Sequence, residues 1–149
     1  MHANISPTLL SRFENPRHAS PTPSSPSASL AGDPRSGLVS IELLSPSGSR
    51  PSAARFKAHG SPWLIAMADL CCERCEDLFH ALGWDGLEEG HVLLDQQKKA
   101  DFFAALRAEA ALLDAPSWQA ASLLIPEEAL ALALSALESK DIPCGPRPD

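Results

Sequence analysis

The sequence predicts an α+β domain: a small antiparallel sheet of about three strands packed against helices. Two alternating, strand-like stretches lie before residue 60, a Ser-Pro-Ser-Gly turn separates them, and helical spacing takes over from Ser61. Ser6-Pro7 followed by Leu9, Leu10 and Phe13 reads as a short capped helix that ends before Pro16. Pro21 to Ser29 holds only small and turn-forming residues, so a mobile Pro/Ser-rich loop is expected over 20–29. Leu30-Ala31 offers a short edge strand. Gly37 to Leu44 and Ala53 to His59 form the hairpin around Ser45–Gly48.

From Ser61 the apolar residues Leu64, Ile65, Ala68, Cys72, Cys75 and Phe79 recur every three or four positions, and Gly83 suits a helix stop. A second helix is expected from Gln97 to Leu113, with Phe102, Phe103, Leu106, Ala110 and Leu113 on one side. A third is expected from Pro126 to Ser139, with Leu130, Leu134 and Leu137 inward and Glu127 and Glu128 at its positive N-terminal dipole. The segment 141–149 contains three prolines and is expected to be a flexible tail after a single domain over 1–140.

Composition narrows the function classes. The chain has 149 residues, and its 44% hydrophobic and 21% charged content is that of an ordinary globular domain. Aromatic residues make up 5% with no tyrosine, and the net charge is -7, so no nucleic-acid partner is expected. The charge is uneven: residues 1–60 sum to +3 and residues 61–149 to -10. No apolar run approaches the ~20 residues of a membrane span, and no basic start with an apolar core marks a secretory leader. Cys71, Cys72 and Cys75 lie too close together to staple a secreted fold, and a reducing cytoplasm is the expected location.

Three colinear strings carry a resemblance. They are Leu10-Ser11-Arg12-Phe13-Glu14-Asn15-Pro16-Arg17-His18, then Ala54-Arg55-Phe56-Lys57-Ala58-His59-Gly60-Ser61 followed by Ile65-Ala66, and Ser122-Leu123-Leu124-Ile125-Pro126-Glu127-Glu128-Ala129-Leu130. Together they resemble the NifU N-terminal/IscU family of iron–sulfur cluster assembly scaffolds, over roughly residues 6–140. In that family the strings read Tyr-Glu-Asn-Pro-Arg-Asn, Ala-Arg-Phe-Lys-Thr-Phe-Gly-Cys with Ala-Ile-Ala, and Cys-Ser-Leu-Leu-Ala-Glu-Asp-Ala-Ile.

The family builds its cluster on three cysteines, an aspartate and, in many members, a histidine. Thiolates suit that cargo because soft sulfur binds iron–sulfur clusters strongly. Carried over position by position, the cysteines fall on Ser36, Ser61 and Ser122, the aspartate on Leu38 and the histidine on Ala121. The resemblance therefore implies a degenerate site with no resident cofactor. It also implies partners such as a cysteine desulfurase or an authentic scaffold. Glu14-Asn15-Pro16-Arg17 is retained as a partner-binding candidate, whereas the family's chaperone-binding Leu-Pro-Pro-Val-Lys loop keeps only Pro116.

Each position also has a structural reading. Ser61 precedes Pro62 and suits a helix N-cap, Ser122 suits a cap of the last helix, and Ser36 before Gly37 suits a turn. No Gly-x-Ser-x-Gly elbow accompanies any serine, and no enzyme is expected. Cys71, Cys72 and Cys75, with His80 just over a turn beyond, leave two readings open. They pack as small hydrophobes, or they form a relocated site for iron, a [2Fe–2S] cluster or zinc. His59 is expected at the surface beside the altered site, and Trp63 and Trp118 at its flanks.

Overall fold

The computed structural model describes residues 7–19, 29–33, 35, 37–44, 51–84, 94–111 and 120–144, and side chains within these except 7–10, 120–123 and 137–144. The element order is α1 (Pro7–Glu14), β1 (Ser29–Asp33), β2 (Gly37–Leu44), β3 (Ala53–His59), α2 (Pro62–Ala81), α3 (Gln96–Ala111) and α4 (Ala120–Cys144). β2 is the central strand of an antiparallel sheet ordered β1-β2-β3. This is the α+β arrangement that the sequence predicts.

Register follows side-chain alternation. Val39 and Ile41 point inward, fully buried, and Ile41 lies opposite Phe56 of β3. Glu42 lies opposite Arg55, an opposite-charge pair of the kind that supports a hairpin. The expected Leu30-Ala31 edge strand is present as β1, with Ala31 opposite Val39. The turn at 45–48 lies outside the described residues, but Ser52 N–H donates to Leu44 O at 2.9 Å where the hairpin closes.

α2 is the centre of the domain. It packs against α1, α3, α4 and the sheet, and α4 covers β1 and β2. Between Trp63 and Cys72 only Ile65 is not buried, as expected of a helix with neighbours all round. Both ends follow from the sequence. Ser61 Oγ accepts from Leu64 N–H at 3.2 Å, and Pro62 occupies the first turn. At the other end Gly83 adopts φ 79°, where a side chain would be strained. Its N–H donates to His80 O at 3.0 Å, and Trp84 N–H donates to Phe79 O at 2.9 Å, a Schellman closure. The same turn stacks the Trp84 and Phe79 rings, with centroids 5.3 Å apart.

Three expectations are corrected. α4 starts at Ala120 rather than Pro126 and runs to Cys144 rather than Ser139, so it includes the first residues of the expected tail. Ser122 therefore lies inside its first turn rather than at a cap. Glu127 lies two turns into the helix and binds Arg107 of α3, with Nε to Oε2 at 2.7 Å, instead of facing the N-terminal dipole. Pro126 is an interior residue of α4, buried against the core, and its missing N–H costs one helical bond there. Of the expected loop, residues 20–28 lie outside the described residues and Ser29 opens β1. The last expected residue of α3, Leu113, also lies outside them.

Cys71, Cys72 and Cys75 have no exposed surface and belong to the core shared by α2, the sheet, α3 and α4. Cys72→Ser or Cys75→Ser is expected to lower stability by roughly 1–3 kcal/mol, because a hydroxyl would be buried where a thiol packs as a hydrophobe. Urea unfolding at neutral pH measures this, and native-state labelling of Cys72 and Cys75 should be slow in the wild type.

Candidate functional site

Described residues next to the positions singled out in the sequence meet at one end of the sheet. Gly37 opens β2 at φ 124°, and a Cβ there would sit 2.6 Å from Leu64 Cδ2. A Cβ on Gly60, just after β3, would lie 3.4 Å from Gly37 Cα. Glycine is needed where these two strand ends meet under the first turn of α2. A Cβ on Gly32, in β1, would be 3.0 Å from Ile125 Cγ2, so the early part of α4 reaches the same end. The backbone flanking Ser36, Ser61 and Ser122 thus converges, although Ser36 itself lies outside the described residues.

The side chains there do not suit a cluster. Ser61 Oγ is committed to capping α2. Leu38 is a half-buried aliphatic opposite the exposed His59. Ala121 and Ser122 lie in the first turn of α4, and their side chains are outside the described ones. Trp63 is buried in the core at the start of α2. Pro116 and Trp118 lie outside the described residues. A capping hydroxyl and an aliphatic chain offer iron no anionic sulfur.

The packing favours the reading of the three cysteines as small hydrophobes. Cys71, Cys72 and Cys75 are buried while His80 is exposed. Among the described residues no group of three His, Cys, Asp or Glu side chains is placed to hold a metal ion. Burial pushes all three thiols up from their ordinary values. Cys71 lines a separate cavity of about 290 Å³ with Met67, Leu106, Ala110 and Leu124.

The retained N-terminal string is held by a polar clamp that the sequence reading did not single out. Asp69 of α2 is 1% exposed. Its Oδ2 accepts from Arg12 Nη1 at 2.8 Å, and its Oδ1 accepts from the His18 backbone N–H at 2.9 Å. The His18 ring lies between two carboxylates, Nδ1 3.2 Å from Asp69 Oδ1 and Nε2 3.0 Å from Glu76 Oε1. Glu76 Oε2 also accepts from Ala54 N–H at 2.8 Å and from Arg55 Nη1 at 2.7 Å. Between these anchors, Glu14, Asn15 and Arg17 are exposed and Pro16 is half-buried. A signal for the clamp was present in the sequence, since Asp69 is the lone charge in the run from Pro62 to Cys72.

The clamp extends across α2. Arg12 Nη1 donates to Glu73 Oε1 at 2.6 Å, and Arg74 donates to Glu109 of α3 through Nε and Nη2, both at 2.7 Å. Burial works against the Arg12 charge, but its bonds to Glu73 and Asp69 outweigh that and raise its pKa. The bond from Arg12 lowers the Glu73 pKa, and the bond from Arg74 lowers that of Glu109.

Two outcomes follow. Ser61→Ala is expected to cost about 1 kcal/mol in urea unfolding, while Ser61→Asp, an equally good cap, is expected to cost little. Stability is also expected to fall as the solution is acidified below about pH 4.5, the ordinary glutamate value. Both folded-state pKa values are depressed, so their contribution is complete above that pH and is lost as pH drops through the folded values. Glu109→Gln is expected to reduce the difference in urea midpoint between pH 7 and pH 3.5.

No protein-family model matches the chain, and no curated protein matches it. Among solved structures, one similar chain is described as "a hypothetical protein", with a crystal structure at 2.3 Å resolution. It is 14% identical, with 86% of this chain and 94% of that one covered and a TM-score of 0.49.

Proposed function

We propose that the chain is a scaffold-like protein of iron–sulfur cluster assembly that works by contact with other proteins of that process and holds no cluster itself. The observation that carries this reading is the sheet end, where the segments matching the ligand-bearing strings converge but the Ser61 hydroxyl serves as a helix cap. The Glu14-Asn15-Pro16-Arg17 string, exposed at Glu14, Asn15 and Arg17, supports a contact role, because Arg12 and His18 fix its two ends on α2 and it needs little further ordering to bind. The partner is a cysteine desulfurase or an authentic scaffold, met in a reducing cytoplasm. The proposal assigns the chain no catalytic step.

Two measurements test it. Anaerobic reconstitution with ferrous iron and sulfide is expected to leave the purified protein without [2Fe–2S] absorption or stoichiometric sulfide. A purified cysteine desulfurase and a purified authentic scaffold, each titrated against the chain, are expected to yield a complex with at least one of them. That complex should weaken on Arg17→Glu. About one cluster per chain, or no complex with either protein, overturns the proposal.

A further inference from the structure

α3 is fastened to the rest of the domain toward its C-terminal end. Leu106 is its one fully buried residue, Glu109 takes the two-point bond from Arg74, and Arg107 binds Glu127 of α4. A cavity of about 580 Å³ lies between α2 and α3 along the stretch from Lys98 to Glu109. Its walls are apolar: Leu78 and Ala81 from α2, its C-cap Leu82, and Phe102, Ala105 and Leu106 from α3. Its rim is acidic. Asp77, Asp101 and Glu109 line it, and its two cations already face carboxylates: Arg74 faces Glu73, Asp77 and Glu109, and Lys98 faces Asp95.

We infer that this groove between α2 and α3 docks an amphipathic helix of a partner protein whose polar face carries Lys and Arg. The stretch of α3 from Gln96 to Ala105 is about 15 Å long at the helical rise per residue. That length matches a docked helix presenting apolar anchors at i, i+3 or i+4, and i+7. Helical walls have no open main chain with which an added strand could pair, and the acidic rim repels nucleic acid and anionic lipid.

Charge also selects against nearer occupants. A second copy would bring a net charge of -7 against a rim of the same sign. The connection 85–93 contains Asp85, Glu88 and Glu89 with no Lys or Arg, so it too is electrostatically mismatched to this rim. A basic helix matches both the apolar walls and the rim. This surface is separate from the sheet end, and the inference does not depend on the role proposed for that end.

The test uses two fluorescein-labelled synthetic helices of about 14 residues. They share one leucine face and carry either lysine or glutamate on the other. Fluorescence anisotropy against the full chain is expected to show binding of the lysine peptide, roughly tenfold or more tighter than its glutamate twin and weaker at high salt. Ala105→Trp fills the groove from an exposed position and is expected to weaken binding by at least about tenfold. Ala100→Trp, exposed on the face of α3 opposite the groove, is expected to leave binding unchanged, with circular dichroism and urea midpoints confirming that both variants fold. The inference is overturned by equal binding of the two peptides or by binding indifferent to Ala105→Trp. No binding by either peptide also overturns it, whether the groove is then filled by residues 85–93 or by a second copy detected as a dimer in solution.

Discussion

A carboxylate at the buried centre of a helix cannot be left without partners, and Asp69 is such a group. An ionised side chain removed from water costs several kcal/mol unless charge and hydrogen bonds compensate it. The compensation comes from the N-terminal segment, through the Arg12 guanidinium and the His18 backbone N–H. Meeting Asp69 therefore brings α1 and the residues after it onto α2. Once His18 is in place, its carbonyl accepts from Phe56 N–H at 3.0 Å and Ala19 bridges to β3. The outer edge of β3 is thereby partly covered, which limits its availability for unwanted strand pairing. One buried acid thus links α1, α2 and the sheet.

That dependence marks what was legible in the sequence. The hairpin, the Ser61 cap, the Gly83 stop and the edge strand at Leu30-Ala31 are local, set by alternation, a proline after a serine, or a glycine able to take positive φ. The partners of Asp69 lie 51 and 57 residues away, and no local pattern announces them. α4 shows a different limit. Pro126 reads locally as a helix start, yet the helix begins six residues earlier because its apolar residues have β1, β2 and α2 to cover. Burial against three neighbours outweighs the cost of one interior proline. The cysteines show the same priority: their spacing admits a metal site, but the core on every side of α2 takes them as hydrophobes.

At the sheet end, the demands of capping and of metal binding conflict. A cap must offer an oxygen to the N–H groups of the first turn, which a short hydroxyl does well. A cluster ligand must be an anionic sulfur directed away from the helix toward the metal. Ser61 serves the first demand, and its bond to Leu64 N–H anchors the residue whose side chain roofs Gly37 and Gly60. Packing at this end consequently rests on the cap. A thiol at position 61 would give up that capping oxygen, so the serine fits the needs of the helix start.

α2 can serve these separate purposes because its turns distribute roles around one cylinder. Asp69, Glu73 and Glu76 fall at spacings of four and three and turn toward α1 and β3. Arg74, Asp77, Leu78 and Ala81 share the neighbouring stripe and face α3. Cys71 turns instead to the cavity beneath α3 and α4. Glu73 and Arg74 sit where the first two stripes meet, bonded to each other at 3.1 Å, so the Arg12 clamp and the Glu109 clamp meet at one ion pair. The groove and the N-terminal string are thus joined by a short polar path along a single rigid helix.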